Sequence, residues 1–150
     1  MSHLFSYGIT LQEGGKVALF PAAELAFQTK EGDTVSLFLI LDSGASISAL
    51  PKSDAITFGI DVETGMPTAV AGIEGKPIEG WRHELMVMIG IEKISIPFLF
   101  LGTDDAPRIL GREGIFDRYT VVFEETKRRT ALLTTETQEA MRVTEALDSL

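Results

Sequence analysis

The chain has no cysteine. A thiolate nucleophile, a disulfide framework and a cysteine-type zinc site are therefore excluded, and a reducing compartment is compatible with the sequence. Basic residues are few, 13 Lys and Arg against 22 Asp and Glu, for a formal net charge of −9. Phosphate binding needs clustered cations, so no nucleic-acid partner is expected. Long apolar runs are also missing: Leu37 to Leu41 and Ile96 to Leu101 fall far short of the roughly 20 residues a bilayer requires, and no membrane partner is expected. Met1 to Gly8 shows no cationic segment followed by an apolar stretch, which predicts a cytoplasmic protein. There are only two histidines. His83 falls in the middle of an alternating segment with no Ser or Cys nucleophile motif to serve, so it is expected to be a packed or surface residue. The acid pair in Thr103-Asp104-Asp105-Ala106-Pro107 reads as a turn before proline, and no further His, Asp or Glu stands at metal-ligand spacing. No metal and no cofactor are expected.

What remains is an ordinary core-forming composition. With 150 residues, 45% hydrophobic and 23% charged, the chain suits one globular domain. Its focal stretch is Thr34 to Ser46. Seven of the eight residues Thr34 to Leu41 are β-branched or large and apolar, which predicts a strand covered on both faces. The run ends abruptly in Asp42-Ser43-Gly44-Ala45-Ser46. A carboxylate where a buried strand leaves the core costs desolvation free energy unless hydrogen bonds compensate. Gly44 and the small residues after it permit a tight turn in which backbone amides approach that carboxylate.

Strands are expected around Ser6 to Leu11, Val17 to Phe20 with a continuation near Glu24 to Gln28, and Thr34 to Leu41, separated by the turns Glu13-Gly14-Gly15-Lys16 and Lys30-Glu31-Gly32-Asp33. Ile47 to Pro51 returns from the Asp42 turn, and Ser53 or Asp54 is placed to cap a short helix ended by Gly59. Thr68 to Ile78 reads as a hairpin with Gly72 and Gly75 near its tip. Glu79 to Ile89 alternates, with Trp81, His83, Leu85, Val87 and Ile89 on one face. Ile94 to Leu101 is another strand, its Pro97 suggesting an edge or a bulge. Tyr119 to Phe123 and Thr130 to Leu133 form a closing hairpin. A capping box of Thr135 and Gln138 then opens an amphipathic helix carrying Ala140, Val143, Leu147 and Leu150. The division expected is residues 1–133 for the folded domain and 134–150 for this helix, packed on the domain or on a dimer.

Leu39-Ile40-Leu41-Asp42-Ser43-Gly44-Ala45-Ser46 resembles the active-site turn of aspartic proteases. Ile109-Leu110-Gly111-Arg112 resembles the second signature of the single-domain members, the retropepsins: two apolar residues, Gly and often Arg, opening a short helix. The glycine-bearing hairpin between them resembles the retropepsin flap. Order and spacing fit, Gly72 lying 30 and Gly111 69 residues after Asp42 (72 − 42, 111 − 42).

The resemblance implies an all-β, closed-barrel acid-protease fold. It implies an aspartic endopeptidase in which Asp42 is catalytic, Ser43 and Gly44 support it, and Ala45, Ser46, Ala71, Gly72, Ile73, Glu74 and Gly75 contact an extended peptide substrate. Gly111 passes through the loop around the catalytic strand, where a side chain would clash. The chain has one Asp-Ser-Gly and no room for a second lobe, so the two carboxylates of this chemistry require a homodimer. Viral retropepsins pair the signature arginine with an acid four residues after the catalytic Asp. Ser46 stands at that position here, so Arg112 needs another partner: Glu113, Asp117, a carboxylate of a second subunit, or simply solvent as a surface charge. A non-catalytic peptide-binding or dimerisation module on the same fold is the alternative reading, and an unrelated barrel with a coincidental Asp-Ser-Gly is a third.

Overall fold

The computed structural model describes residues 1–71 and 75–150. Twelve strands and two α-helices are seen among them. In chain order these are β1 (His3–Ser6), β2 (Gly8–Leu11), β3 (Val17–Phe20), β4 (Ala22–Gln28), β5 (Thr34–Leu41), β6 (Ser48–Pro51), α1 (Lys52–Phe58), β7 (Met66–Ala71), β8 (Pro77–Ile89), β9 (Glu92–Leu101), β10 (Ile109–Leu110), β11 (Tyr119–Glu124), β12 (Arg129–Thr134) and α2 (Gln138–Asp148). The all-β class expected from the sequence is what is observed.

The main sheet runs β4-β5-β10-β6-β9-β8-β7, and β4 also pairs with β8 through Ala26 opposite Met88 and Phe27 opposite Val87. That pairing closes six strands into a barrel and leaves β7 outside as a flange on β8. The short β10 sits parallel to β5 and antiparallel to β6, and β6 runs parallel to β9. Leu25, Leu39, Leu50, Ile96, Phe98, Phe100 and Leu110 fill the interior. Phe27 stacks on Phe58 of α1 at 4.8 Å between ring centroids and meets Phe98 edge-on at 5.6 Å, which fastens the helix to the barrel wall.

Alternation along β8 places Trp81, Leu85, Val87 and Ile89 in the core as expected. His83 is half-buried, its Nε2 2.9 Å from the Val62 carbonyl and its ring edge-on to Phe100, a packed histidine. Pro97 lies one residue before β9 gains β6 as its second neighbour at Phe98, so the missing N–H costs no ladder bond on that side. No helix among the described residues is long and apolar enough to cross a membrane.

Five expectations are corrected. The segment Ser6 to Leu11 is not one strand: the chain changes sheets at Tyr7, with β1 on β12 and β2 on β3. β5 is not covered on both faces, since Leu39 and Leu41 are buried while Phe38 is 55% exposed. α1 is not capped by Ser53 or Asp54. It starts at Lys52, the Ser53 amide donates to Asp104 Oδ1 at 3.0 Å, and Asp54 lies within the helix, bound to both Nε and Nη2 of Arg108 at 2.7 and 2.8 Å. The helix does end at Gly59, in the left-handed conformation at φ 70°. After Gly111 the chain makes successive turns instead of a short helix, because Gly114 adopts φ 81° and breaks the helical run. Finally, α2 is capped by Thr137, whose Oγ1 accepts the Ala140 amide, not by Thr135. Only Ala140 of its apolar stripe is buried.

A second sheet, β1-β12-β11, closes one end of the barrel. Leu132 and Tyr119 pack it onto the core, and a polar tie is added: Glu92, at the start of β9, accepts from the Tyr119 hydroxyl at 2.9 Å and lies 3.3 Å from His3 Nε2. Burial alone would raise the Glu92 carboxyl, but the hydrogen bonds from Tyr119 and His3 outweigh it and hold the group below its ordinary 4.5. A depressed carboxyl stabilises the fold above its unfolded value and loses that contribution as pH falls through the folded value. Glu92→Gln is therefore expected to lower the melting temperature at pH 7 by roughly 3 °C, for a loss of about 1 kcal/mol. Thermal melts across pH should show the gap between variant and wild type narrowing below about pH 4.5.

Candidate active site

β5 delivers Asp42 to one end of the barrel. Three backbone hydrogen bonds fix its approach: the Ile40 amide donates to the Arg108 carbonyl at 2.9 Å, Leu41 to Pro21 at 3.0 Å, and Asp42 to Leu110 at 3.0 Å. The chain then turns, with the Ala45 amide donating to the Asp42 carbonyl at 3.3 Å. Inside the turn the Gly44 amide donates to Asp42 Oδ1 at 2.8 Å. This charge-assisted bond offsets part of the cost of placing a carboxylate at a strand exit. Asp42 is half-buried, Ser43 and Gly44 are exposed, Ala45 is partly covered and Ser46 is exposed. Among the described residues no group of three or more His, Cys, Asp or Glu is placed to hold a metal ion.

The second signature threads the loop that this turn opens. The Arg112 and Glu113 amides donate to the Ala45 and Ser46 carbonyls, each at 2.9 Å. The Gly111 amide donates to the Oγ of the fully buried Ser48 at 3.0 Å. A Cβ on Gly111 would lie 2.5 Å from the Ile47 carbonyl carbon and 3.0 Å from the Ala45 oxygen, closer than backbone atoms can yield. The expectation for Gly111 thus has a direct steric basis. Arg112 finds a partner that the sequence left open: its Nη1 donates to the Ser43 carbonyl at 2.7 Å, inside the Asp42 turn. Neither Glu113 nor Asp117 is that partner.

Glu113 is bound instead to Arg82 of β8, with Nη2–Oε1 at 2.7 Å and Nη1–Oε2 at 3.2 Å. The Glu113 hydrogen bond holds the Arg82 guanidinium above its ordinary value. Arg82 lies opposite Met66 at the foot of the β7–β8 hairpin, so this pair ties that foot to the segment leaving Gly111. Sequence spacing gives no signal for it, since residues 82 and 113 meet only through the barrel. The same holds for Ser48 and for the pair of Asp54 with Arg108.

The structure thus brings Asp42, Ser43, Gly44, Ala45, Ser46, Gly111 and Arg112 into one hydrogen-bonded unit. The hairpin expected as a flap exists, with Ala71 opposite Pro77 as its last pair. Ala71 and Gly75 are exposed, the latter at φ 75°, and neither is hydrogen-bonded to the Asp42 turn. Gly72, Ile73 and Glu74 lie outside the described residues.

Among solved structures, the chain is similar to a retropepsin-like aspartic protease from Rickettsia conorii, with a TM-score of 0.59 at 19% identity over 88% of this chain and 98% of that one. This is the retropepsin-like fold. A looser likeness, TM-score 0.46 at 20% identity over 69% of this chain and 88% of the other, is to EIAV protease complexed with the inhibitor HBY-793. No family model and no curated protein matches the chain. Gly111 stands where two backbones cross with no room for a side chain, and Gly111→Ala should destabilise the protein by about 3 kcal/mol through overpacking against backbone. Urea unfolding of the purified variant measures this loss directly.

Proposed function

We propose that the protein is an aspartic endopeptidase, active as a homodimer in which the Asp42 side chains of two copies face each other across a two-fold axis. The observation that carries this reading is the Asp42 turn itself: a carboxylate at a barrel-strand exit, one oxygen held by the Gly44 amide at 2.8 Å, locked by a glycine strand that admits no side chain, in a retropepsin-like fold. Single-carboxylate chains complete an acid–base pair through symmetry.

Two carboxylates a few ångströms apart do not both ionise, so the pair shares one proton. The ionised Asp42 takes a proton from a water held between the two as its oxygen attacks the peptide carbonyl carbon. The protonated copy donates to the carbonyl oxygen, giving a neutral tetrahedral diol. Collapse returns one hydroxyl proton to the now ionised copy as the C=O re-forms, the C–N bond breaks, and the departing nitrogen takes from Asp42 the proton removed from the water, so the pair again holds one proton. No covalent enzyme intermediate and no cofactor enter.

Within this reading the Ser43 hydroxyl bonds across the axis to the other copy's loop and keeps the carboxylates coplanar. Ala45 and Ser46 border an extended peptide bound as an added strand, and Ala71, Gly72, Ile73, Glu74 and Gly75 of the β7–β8 hairpin cover it. Arg112 is a positioning residue, acting on Asp42 through the Ser43 carbonyl.

Digestion of a diverse peptide mixture from acidic to neutral pH, read by mass spectrometry, tests the proposal. Wild type should cut, and Asp42→Asn should lose cleavage by about 1,000-fold or more while remaining folded. If neither protein cuts while both are folded dimers, the endopeptidase reading gives way to a non-catalytic peptide-binding or dimerisation module on the same fold. Arg112→Ala should lower kcat by roughly 10-fold with KM little changed, since about 1–2 kcal/mol of turn order is lost without a substrate contact. Arg112→Lys, which keeps a single donor for the Ser43 carbonyl, should restore most of that loss in steady-state kinetics.

A further inference from the structure

An apolar ladder with nothing against it rises from the same rim that carries Asp42. Among the described residues β2 and β3 pair only with each other, turning through Gly14 and Gly15 at φ 79° and 74°. In their register Ile9 faces Leu19 and Leu11 faces Val17, so these four side chains share one side of the ribbon. All four are exposed, at 68, 40, 77 and 60% respectively. A lone two-stranded hairpin is marginal in water, and a continuous aliphatic face on one is either an interface or an aggregation hazard.

The position of the hairpin selects between these. β3 ends at Phe20, and the carbonyl of the next residue, Pro21, accepts the amide of Leu41, immediately before Asp42. At the hairpin's root a groove of about 560 Å³ is lined by Phe5, Tyr7, Gly8, Ile9, Phe20 and Phe38, among others. Phe38 precedes Asp42 by four residues on β5 and falls on the same face as Ile40 and Asp42 by strand alternation. An unfilled groove, mostly apolar but with Ser6 and Glu24 in its wall, and an uncovered apolar ladder therefore adjoin on one edge.

We propose that this hairpin is a docking arm for a second copy of the chain, the Ile9, Leu11, Val17 and Leu19 face of each copy lying in the other's groove beside Phe20 and Phe38. The proposal rests on the homodimer reading above. A two-fold axis beside Asp42 sets the two rims against each other, and an isologous contact requires one surface that is its own complement. A protruding ladder next to a matching groove meets that requirement, and the ladder carries no charge to desolvate. The arm is thus part of what brings the second carboxylate to the first.

Sedimentation velocity over a concentration series on wild type, Leu11→Lys/Val17→Lys and, on the opposite face of the ribbon, Thr10→Lys tests the arm. None of these side chains is in the core, and circular dichroism checks the fold. The double variant should raise the dimer dissociation constant at least about 10-fold, Leu11→Ala/Val17→Ala should shift it less in the same direction, and Thr10→Lys should leave it unchanged. Peptide cleavage by the double variant should be lost at low enzyme concentration and return as concentration rises. If wild type dimerises and the double variant does so with the same constant, the arm is refuted and the homodimer stands. A wild type that cuts peptides while monomeric at every concentration refutes both. An unchanged dissociation constant with a raised KM assigns the face to substrate and overturns the proposal, as does an equal shift in Thr10→Lys.

Discussion

The site depends on a crossing of two backbones that leaves no space for a side chain. Gly111 passes so near the Ile47 carbonyl that a single added carbon would sit at 2.5 Å from it. Because the crossing is that tight, the Gly111 amide reaches the Ser48 hydroxyl and the next two amides meet the Ala45 and Ser46 carbonyls directly. The carboxylate turn is thereby held from inside the barrel, not by its own short-range bonds alone. Arg112 emerges from the same crossing and reaches the Ser43 carbonyl. An acid four residues beyond Asp42 is dispensable for fixing this arginine, because a backbone oxygen has taken its place. That oxygen carries no full charge, so the contact is less sensitive to salt and to acid than an ion pair would be.

Legibility in the sequence followed the range of the interactions. The Asp42 turn and the Gly111 signature are local chemistry, an apolar run with a particular punctuation, and both were visible without a structure. So was the alternation of β8, whose buried residues recur with a period of two over most of a long strand. What the sequence hid is tertiary. Phe38 belongs to an apolar run, yet it is exposed because the barrel covers only the Leu39 and Leu41 face of β5. The break at Tyr7 has no proline or glycine at the site itself to mark it; it arises because β12 claims the residues before it and β3 those after. The contact of Asp104 with the start of α1 joins residues that are neighbours only because β6 and β9 pair in parallel, and Asp104 of the acid pair, read as a plain turn, has this structural duty.

The polar ties have a common logic. Asp54 is nearly buried and is met on both oxygens by the Arg108 guanidinium, whose own backbone carbonyl receives the Ile40 amide. Arg82 and Glu113 similarly join the foot of the β7–β8 hairpin to the segment that leaves the crossing. Each pair connects a peripheral element to a strand adjoining Asp42. The apolar core gives the barrel its stability, while these pairs set where its attachments stand relative to the carboxylate.

The closing sheet carries a consequence for biosynthesis. β1 lies against β12, His3 opposite Leu132, so a strand at residue 3 waits for one well over a hundred residues later before its ladder can form. Contacts that remote in sequence are slow to establish and do not exist on a nascent chain until β12 has left the ribosome. The Tyr119 and His3 contacts to Glu92 wait with them. A chain of this topology cannot close that end of its barrel until β12 has been made, so the order of synthesis and the order of folding part company: the strand at residue 3 is available early and is used late.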